Sequence, residues 1–292
     1  MIKQQIMKAA ITGATGFIGR RLKARLEAEG YSVTGITRND LAGPLNGLSN
    51  KIQDCDIVIN LAGAPIIARH TDAYKREIYS SRIETTRKLV NSLKLLKTPP
   101  RQLISASAIG IYSDNMVNTE TSYEYTEGFI ADVCKDWEQE AHEAESFTKV
   151  AIVRLGIVLD GKEGALPKMA FPFRLGAGGK LGSGNQMFSW IHIDDLVNAF
   201  MHIIHNQTKG VYNLTSPGYL RNEELTRILG HILKMPPFLT VPSFALRLIY
   251  GDGAKALLDG QAVYPERLLK EGFTFRYTIV EDALKDTLFS PR

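Results

Sequence analysis

The stretch Ala9-Ala10-Ile11-Thr12-Gly13-Ala14-Thr15-Gly16-Phe17-Ile18-Gly19 joins a short apolar run to three glycines spaced three residues apart and then to the start of a helical pattern. This order predicts a strand, a tight turn and a helix. Glycine in the turn lets the backbone approach a pyrophosphate, whose charge then faces the free N–H groups at the helix N-terminus. The stretch therefore predicts a dinucleotide site at Gly13, Gly16 and Gly19.

The residues after the second predicted strand bear on which dinucleotide is bound. That strand covers Tyr31 to Ile36, and Thr37 and Arg38 follow it directly. An acidic residue at this place holds a free ribose 2′-hydroxyl, whereas an arginine suits a 2′-phosphate. Arg38 therefore favours NADP over NAD, the alternative being a solvated charge at a strand end.

Further apolar runs continue the alternation of strands and helices. Strands are predicted at 56–61, 103–106, 150–155 and 211–214, and helices over 68–97 and 129–146, whereas 39–54 holds no clear strand. Repeated βα units demand a mostly parallel sheet with right-handed crossovers. The predicted fold class is α/β, a Rossmann-type doubly wound parallel sheet with a small, mainly helical C-terminal domain. Asn60-Leu61-Ala62-Gly63 ends one strand at the sheet edge where ligands bind.

The second half of the chain departs from this rhythm. Residues 160–188 contain seven glycines and are predicted to form a long functional loop with a short helix near Met169. In the next ordered segment we expect Asp194 or Asp195 to cap a helix and His192 to be structural. After residue 216, helices are predicted over 223–233, 243–258 and 279–288. We expect a Rossmann domain of 1–160 plus about 190–215, and a substrate domain of about 161–189 and 216–292.

The amino-acid composition indicates which kinds of binding partner to expect. The 292 residues include 35 basic and 31 acidic side chains, a net charge of +4 with no dense Lys/Arg run, which favours a small-molecule substrate over nucleic acid or an anionic membrane. The sequence has no run of about 20 apolar residues, so no membrane span is predicted. Cys55 and Cys134 show no metal-ligand spacing and no disulfide framework, so we expect no metal and a cytoplasmic location. The oligomeric state is left open.

Several of these motifs together resemble one protein family. Gly13-x-x-Gly16-x-x-Gly19, Arg154-Leu155-Gly156 and Trp190-Ile191-His192-Ile193-Asp194-Asp195 look like an extended short-chain dehydrogenase/reductase. The tail Gly260-Gln261-x-Val263-x-Pro265-x-Arg267-Leu268 resembles its atypical epimerase-like subgroup, whose members are labelled nucleoside-diphosphate-sugar epimerases or cell-division inhibitors.

The resemblance implies a Rossmann domain, NADP as cofactor and a C-terminal domain peculiar to the subgroup. It implies cofactor contacts at several further positions, namely Phe17, Ile18, Thr37, Arg38, Leu61, Ala62, Gly63, Glu77, Arg82 and Val158. For Arg82, an ion pair with Glu77 and a solvated helix charge are the alternatives to a cofactor phosphate.

The usual acid and base of this superfamily are missing. Its ordinary members use a serine to orient the substrate oxygen and a tyrosine, activated by a lysine four residues on, to move the proton. None of the eleven tyrosines here has lysine four positions later, and the matching positions hold Ile130 and Cys134. Ser107 matches the serine and is the one predicted catalytic residue, unless it only caps a strand end. The following loop offers three candidates for a substitute acid, Tyr112, Tyr123 and Tyr125, and the sequence does not choose among them.

Two functions therefore compete. The first is an NADP-dependent, epimerase-like oxidoreductase acting on a small molecule, for example a nucleotide sugar, without the Tyr-x-x-x-Lys pair. The second is a non-catalytic module that binds NADPH or senses its redox state. A Rossmann methyltransferase is disfavoured by Arg38 and by the glycine spacing.

Overall fold

The computed structural model describes residues 6–289, so the outer ends of the predicted domains, 1–5 and 290–292, lie outside the described residues. Its strands are β1 (Lys8–Thr12), β2 (Ser32–Ile36), β3 (Ile57–Asn60), β4 (Gln102–Ala108), β5 (Val117–Asn118), β6 (Lys149–Leu155), β7 (Ile157–Leu159), β8 (Gly179–Leu181), β9 (Met187–Phe188), β10 (Trp190–His192), β11 (Gly210–Leu214), β12 (Leu220–Arg221), β13 (Leu239–Val241) and β14 (Ala262–Val263). Its α-helices are α1 (Phe17–Ala28), α2 (Arg38–Ala42), α3 (Leu45–Ile52), α4 (Asp72–Ser80), α5 (Ile83–Lys94), α6 (Phe129–His142), α7 (Leu166–Arg174), α8 (Ile193–Asn206), α9 (Asn222–Ile232), α10 (Ser243–Tyr250), α11 (Lys255–Leu258), α12 (Glu266–Lys270) and α13 (Val280–Phe289).

Six strands form one parallel sheet in the order β11-β6-β4-β3-β1-β2. The order steps outward from β1 in both directions, which is the doubly wound arrangement, and it confirms the predicted fold class. In β1, Ala9 and Ile11 pack with Leu22 and Leu26 of α1, whereas Ala10 belongs to the cluster on the other face. Both faces are thus buried, which explains why these strands have continuous apolar runs instead of alternation.

The C-terminal part has an apolar cluster of its own, separate from the two clusters that cover the faces of the sheet. Leu166 and Phe173 of α7 belong to this cluster with Leu225 of α9 and Leu284 of α13. Four short two-stranded pairings lie outside the six-stranded sheet: β7 with β10, β9 with β12, β8 with β13, and β5 with β14. Of these, the pairing of β5 with β14 joins the C-terminal part to the segment before α6. None of the helices within residues 6–289 is long and apolar enough to cross a bilayer.

Local structure differs from the prediction at three places. The region predicted as a long loop holds β8 and β9 in addition to α7, which confirms the short helix predicted near Met169, and the polar loop before α6 includes β5. The predicted helix over 243–258 is broken at Gly251, whose φ of +57° cannot continue a right-handed helix. Glycine-rich and short segments carry too little periodic signal to predict such elements.

The cap of α8 is His192, so the prediction of Asp194 or Asp195 as the cap is wrong. The Nδ1 atom of His192 accepts a hydrogen bond from the Asp194 N–H at 3.1 Å, which confirms the structural histidine. The Asp195 carboxylate instead accepts the N–H groups of Arg276 and Tyr277, each at 2.9 Å. Burial raises the pKa of Asp195. This carboxylate therefore ties the C-terminal segment to α8.

Candidate cofactor and substrate site

The glycine turn brings the start of α1 against the end of β3. Gly13 has a φ of +68°, and a Cβ there would lie 3.0 Å from the Leu61 carbonyl oxygen. Gly16 caps α1 without a side-chain hydrogen bond, so the first-turn N–H groups stay open to an anion. A Cβ at Gly19 would overlap the Gly13 carbonyl oxygen. The three glycines thus serve a left-handed turn, an open helix end and close packing of α1.

Substituting Gly19 with alanine is expected to abolish NADPH binding and lower the thermal midpoint, because α1 must move away from the turn. Calorimetric titration and thermal unfolding measure both effects. Gly47→Ala is the matched control: it lies inside α3, where a Cβ would make only an ordinary contact with Pro44 at 3.6 Å, and we expect stabilisation by about 0.5–1 kcal/mol. Equal behaviour of the two variants would contradict this packing argument.

Thr12 connects the turn to the next loop. Its buried hydroxyl donates to Asn60 Oδ1 at 2.7 Å and accepts the N–H groups of Leu61 and Ala62 at 3.0 Å. Asn60 in turn donates to Thr86 and Ser105. The loop after β3 is therefore held at a fixed distance from the glycine turn.

An open groove of about 870 Å³ follows the carboxyl ends of β1, β2 and β3, and we call it the cofactor groove. Its lining comes from the glycine turn, the end of β2, the loop after β3, and one side of α4 and α5: Gly13–Gly16, Gly35–Arg38, Leu41, Ala42, Leu61–Ala64, Glu77, Ser80, Ser81, Glu84, Thr85 and Lys88. Eight of the predicted cofactor contacts line it: Gly13, Gly16, Thr37, Arg38, Leu61, Ala62, Gly63 and Glu77.

Arg38 and Thr37 lie at the end of the groove formed by β2. Thr37 caps α2 in a capping box with Asp40, and Lys51 binds the same carboxylate at 2.6 Å. The Arg38 side chain is exposed and makes no ion pair with another residue in the described part of the chain. The acidic group near this corner is thus already bound, whereas the guanidinium is available to an anion.

The state of Asp40 predicts a pH effect on stability. Hydrogen bonds from Lys51 and Thr37 lower the pKa of Asp40 from 3.8 to about 2. A lowered pKa in the folded state contributes stability above the unfolded pKa, and this is lost as pH falls through the folded pKa. The difference in unfolding free energy between wild type and Asp40→Asn should shrink between pH 3.8 and about 2. A difference that is constant across this range in urea titrations would contradict it.

Arg82 does not line the groove. Its guanidinium is buried beneath the loop after β3, where it donates to the carbonyls of Ala64 at 2.8 Å and Ile78 at 3.2 Å and lies 5.2 Å from the Trp137 ring. Burial lowers the pKa of Arg82. The suggested ion pair with Glu77 and the solvated charge are both wrong, because the guanidinium is bound by carbonyls and covered by Gly63.

Four further predicted contacts also lie outside the lining of the groove. Gly19 packs against the turn, and Ile18 contacts the core. The Phe17 ring lies beside Gly164, and Val158 pairs with Ile191 between β7 and β10. These positions support the groove instead of facing it.

A second cavity of about 540 Å³, here the inner pocket, lies at the carboxyl ends of β4 and β6. Because β6, β4 and β3 are neighbours in the sheet, it continues the line of the cofactor groove. The loop after β3 lines both cavities: its residues up to Ala64 line the groove, and its residues from Ile66 onward line the inner pocket. Its other walls come from 108–110, 126–131, 155–157 and the C-terminal residues 252–261. The two cavities therefore form consecutive parts of one edge.

Polar groups in the inner pocket come mainly from outside the predicted motifs. His70, which is 9% exposed, holds Nε2 2.8 Å from the Ile66 carbonyl oxygen, so Nε2 carries a proton, and in the neutral ring Nδ1 is then the acceptor. Lys75 pairs with Asp252 at 2.5 Å. Burial raises the pKa of Asp259. Nothing in the spacing of these residues along the sequence could have identified them.

In α6, the positions at which the superfamily has its catalytic tyrosine and lysine hold residues that cannot transfer a proton. Ile130 lines the inner pocket where the superfamily places its tyrosine, and Cys134 is buried. Burial raises the pKa of the Cys134 thiol to about 12. Lys135, one residue after Cys134, does not line the pocket, and its ammonium donates to the Thr126 carbonyl at 3.3 Å. Neither position of the pair can supply a proton.

Ser107 belongs to a buried polar cluster instead of the pocket. Its hydroxyl is 1% exposed and donates to Glu138 Oε1 at 2.6 Å. Glu138 accepts two hydrogen bonds from Arg154, at 2.8 and 2.7 Å. Ser107 does not line the inner pocket. The predicted catalytic contact with a substrate is therefore not what this geometry supports, because the hydroxyl proton is committed to a carboxylate.

The tyrosines of the following loop meet the same cluster. Arg154 donates to the hydroxyls of Tyr112 at 2.7 Å and Tyr125 at 2.9 Å, and Tyr112 donates to Asn213 at 2.8 Å. Burial raises the pKa of Tyr112 to about 12, and burial also raises that of Tyr125. Tyr112 is fully buried. Tyr112 and Tyr125 are therefore poor substitutes for the missing acid.

The fold and these cavities define a dinucleotide-binding α/β protein. A family model described as the NAD dependent epimerase/dehydratase family matches residues 9–215, and one for a domain of unknown function, DUF1731, matches residues 241–287. The chain belongs to the NAD-dependent epimerase/dehydratase family, which confirms the resemblance.

Relatives match over nearly the whole chain. A chloroplastic protein from Arabidopsis thaliana named as an SDR39U1 homolog of the epimerase family is 40% identical, over 97% of this chain and 87% of its own. The epimerase family protein SSP1921 of Staphylococcus saprophyticus is 39% identical, over 94% and 97%. The crystal structure of human SDR39U1 (isoform 2) with NADPH aligns with a TM-score of 0.88 at 32% identity, over 98% and 100%.

Proposed function

We propose that the protein binds NADP(H) along the two cavities. The 2′-phosphate would lie beside Arg38, the pyrophosphate at the open N-terminus of α1, and the nicotinamide in the inner pocket. The observation that carries this proposal is the continuous edge from an available guanidinium, across the glycine turn, to a second cavity. The NADPH in the human SDR39U1 structure supports it. Gly13, Gly16, Thr37, Leu61, Ala62, Gly63 and Glu77 would line the cofactor, while Phe17, Ile18, Gly19, Arg82 and Val158 would support it from behind.

The reaction that we propose is an epimerase-like oxidoreduction of a small molecule in the inner pocket. The bound nicotinamide would accept or donate a hydride there. Apolar side chains such as Ile109, Ile130 and Ile157 would exclude water around the reacting carbon. His70 Nδ1 and the Lys75 ammonium are the side chains that could hold a proton or orient an oxygen in place of the tyrosine. A nucleotide sugar is one substrate class consistent with the family.

Substituting Ile130 with tryptophan tests the placement of the nicotinamide. We expect NADPH to bind about tenfold more weakly, since overfilling a packed site costs ~1–3 kcal/mol, while 2′-phospho-ADP-ribose, which lacks the nicotinamide, keeps its affinity. Calorimetric titration with both ligands measures this. Leu95→Trp, at an exposed site after α5, is the control. Equal loss for both ligands, or no loss, would overturn the proposed placement.

The second candidate is a protein that binds NADPH without turnover. Ile130 and Cys134 at the positions of the acid and its lysine favour it, because neither exchanges a proton near neutral pH. Two assays separate the functions: spectroscopic measurement of NADPH consumption with a panel of carbonyl compounds detects net reduction, and chromatography of nucleotide sugars incubated with the protein and NADP⁺ detects epimerisation, which regenerates its cofactor. Turnover that Lys75→Met or His70→Asn removes would exclude the non-catalytic candidate.

We also propose the division predicted above, with a Rossmann domain of 1–160 plus about 190–215 and a substrate domain of about 161–189 and 216–292. A cytoplasmic location stays a prediction. Cys55 and Cys134 are buried and unpaired, which suits a reducing compartment.

A further inference from the structure

The region around α7 and α10 leaves large apolar side chains in solvent. Phe171 and Leu175 are 61% and 67% exposed, and Phe238, Phe244 and Leu248 are between 73% and 85% exposed. Single exposed apolar residues are ordinary, but a concentration of this size marks an interaction surface.

The same short pattern occurs on both helices. Phe171-x-x-Arg174-Leu175 lies at the end of α7, and Phe244-x-x-Arg247-Leu248 lies in α10. In each, the residue before the arginine is buried, and the phenylalanine, arginine and leucine are exposed. Residues three and four apart share one side of a helix. Each helix therefore presents two apolar side chains and one guanidinium to solvent.

Two paired strands connect the helices. The segment after α7 forms β8, and the segment before α10 forms β13; these strands pair in parallel, with Gly179 opposite Leu239. The Gly182 N–H also donates to the Val241 carbonyl at 2.9 Å. We call the following residues the apolar–basic surface: Phe171, Arg174, Leu175, Phe238, Leu239, Phe244, Arg247 and Leu248.

Charge is segregated around this surface. Residues 164–193 and 225–251 contain six Lys or Arg residues and no Asp or Glu; of the six, Lys180 pairs with Glu223, just outside these ranges, at 4.0 Å. Because the whole chain has a net charge of +4, the remainder has 4 − 6 = −2. Arg174 and Arg247 make no ion pair with another residue of the described chain. The near-neutral total therefore conceals one basic, apolar region.

We propose that the apolar–basic surface binds a bilayer that contains anionic phospholipids. Its phenylalanines and leucines would enter the boundary between headgroups and acyl chains, while Arg174 and Arg247 contact lipid phosphates. A second copy of the chain fits less well, because a two-fold contact of this surface with itself brings arginines together without an acidic partner. The binding is peripheral and independent of the cofactor site.

Flotation of the full chain with vesicles tests this proposal. We expect binding to vesicles of equal parts phosphatidylcholine and phosphatidylglycerol at low salt, weaker binding as salt rises, and little binding to phosphatidylcholine alone. Arg174→Gln with Arg247→Gln should weaken binding about fivefold per arginine. Phe244→Ser with Leu248→Ser should weaken it about tenfold or more.

The matched control is Lys97→Gln with Lys149→Gln, two exposed lysines whose loss changes the net charge equally. It should bind almost as the wild type does, and unchanged NADPH affinity would show that every variant is folded. Binding that ignores lipid charge, or that falls equally in the control, would overturn the proposal. Sedimentation that shows a dimer which Phe244→Ser with Leu248→Ser dissociates would also overturn it, in favour of a second copy.

Discussion

Replacing Arg38 with alanine should weaken NADPH binding by about ten- to a hundredfold and leave NADH binding almost unchanged. A hydrogen bond to a charged group contributes about 1.5–3 kcal/mol, and only NADPH has the 2′-phosphate. Arg38 is exposed at the groove and unpaired among the described residues, so its loss should not disturb the fold. Calorimetric titration of each variant with both cofactors gives the four affinities.

Two further variants sharpen this test. Arg38→Lys keeps the charge but loses the planar fork, so we expect an intermediate affinity for NADPH. Arg76→Ala removes an exposed arginine of α4 that does not line the groove, and both cofactors should bind as before. Equal losses of NADPH and NADH in Arg38→Ala would show that the arginine does not read the 2′-phosphate.

Replacing Glu138 with glutamine should destabilise the protein by about 3–5 kcal/mol, because it leaves the buried Arg154 charge without its carboxylate. Burial alone would lower the pKa of Arg154, but its hydrogen bonds and charge interactions with Glu138 and Tyr112 outweigh this and raise it. Because arginine is not deprotonated in proteins, the guanidinium stays charged when its partner is lost. Urea unfolding followed by circular dichroism measures the change.

Glu140→Gln is the matched control for this prediction. Glu140 lies two residues further along α6 and pairs with Arg87, whose side chain is 53% exposed. An exposed pair contributes about 0–1 kcal/mol, so the control should lose little. Similar losses in the two variants would mean that the buried cluster around Arg154 does not stabilise the fold as we describe.

The sequence predicts the cofactor side of the site well because that side is local. The strand, glycine turn and helix are contiguous, and Thr37 and Arg38 follow β2 directly. By contrast, Arg82 looks like a helix charge in sequence, and only the folded chain shows that its guanidinium is buried under Gly63. Ser81, Thr85 and Lys88 also line the groove. Their spacing of four and three residues places them on one side of a helix, but they belong to no sequence motif that would have identified them as cofactor contacts.

The substrate side is less predictable because it depends on distant segments. His70 and Lys75 meet residues 252–261 only through the packing of the C-terminal part, as in the 2.5 Å pair between Lys75 and Asp252. Ser107 matches a motif position, yet its hydroxyl binds Glu138 from α6. The net charge of the whole chain also gives no sign of the apolar–basic surface, because acidic residues elsewhere in the chain offset the basic residues around it.

Titration of the unmodified protein with NADPH and with NADH shows whether the site distinguishes the 2′-phosphate. We expect NADPH to bind at least about tenfold more tightly, because one charge-assisted contact at Arg38 supplies ~1.4 kcal/mol or more. Equal affinities, or tighter binding of NADH, would contradict it.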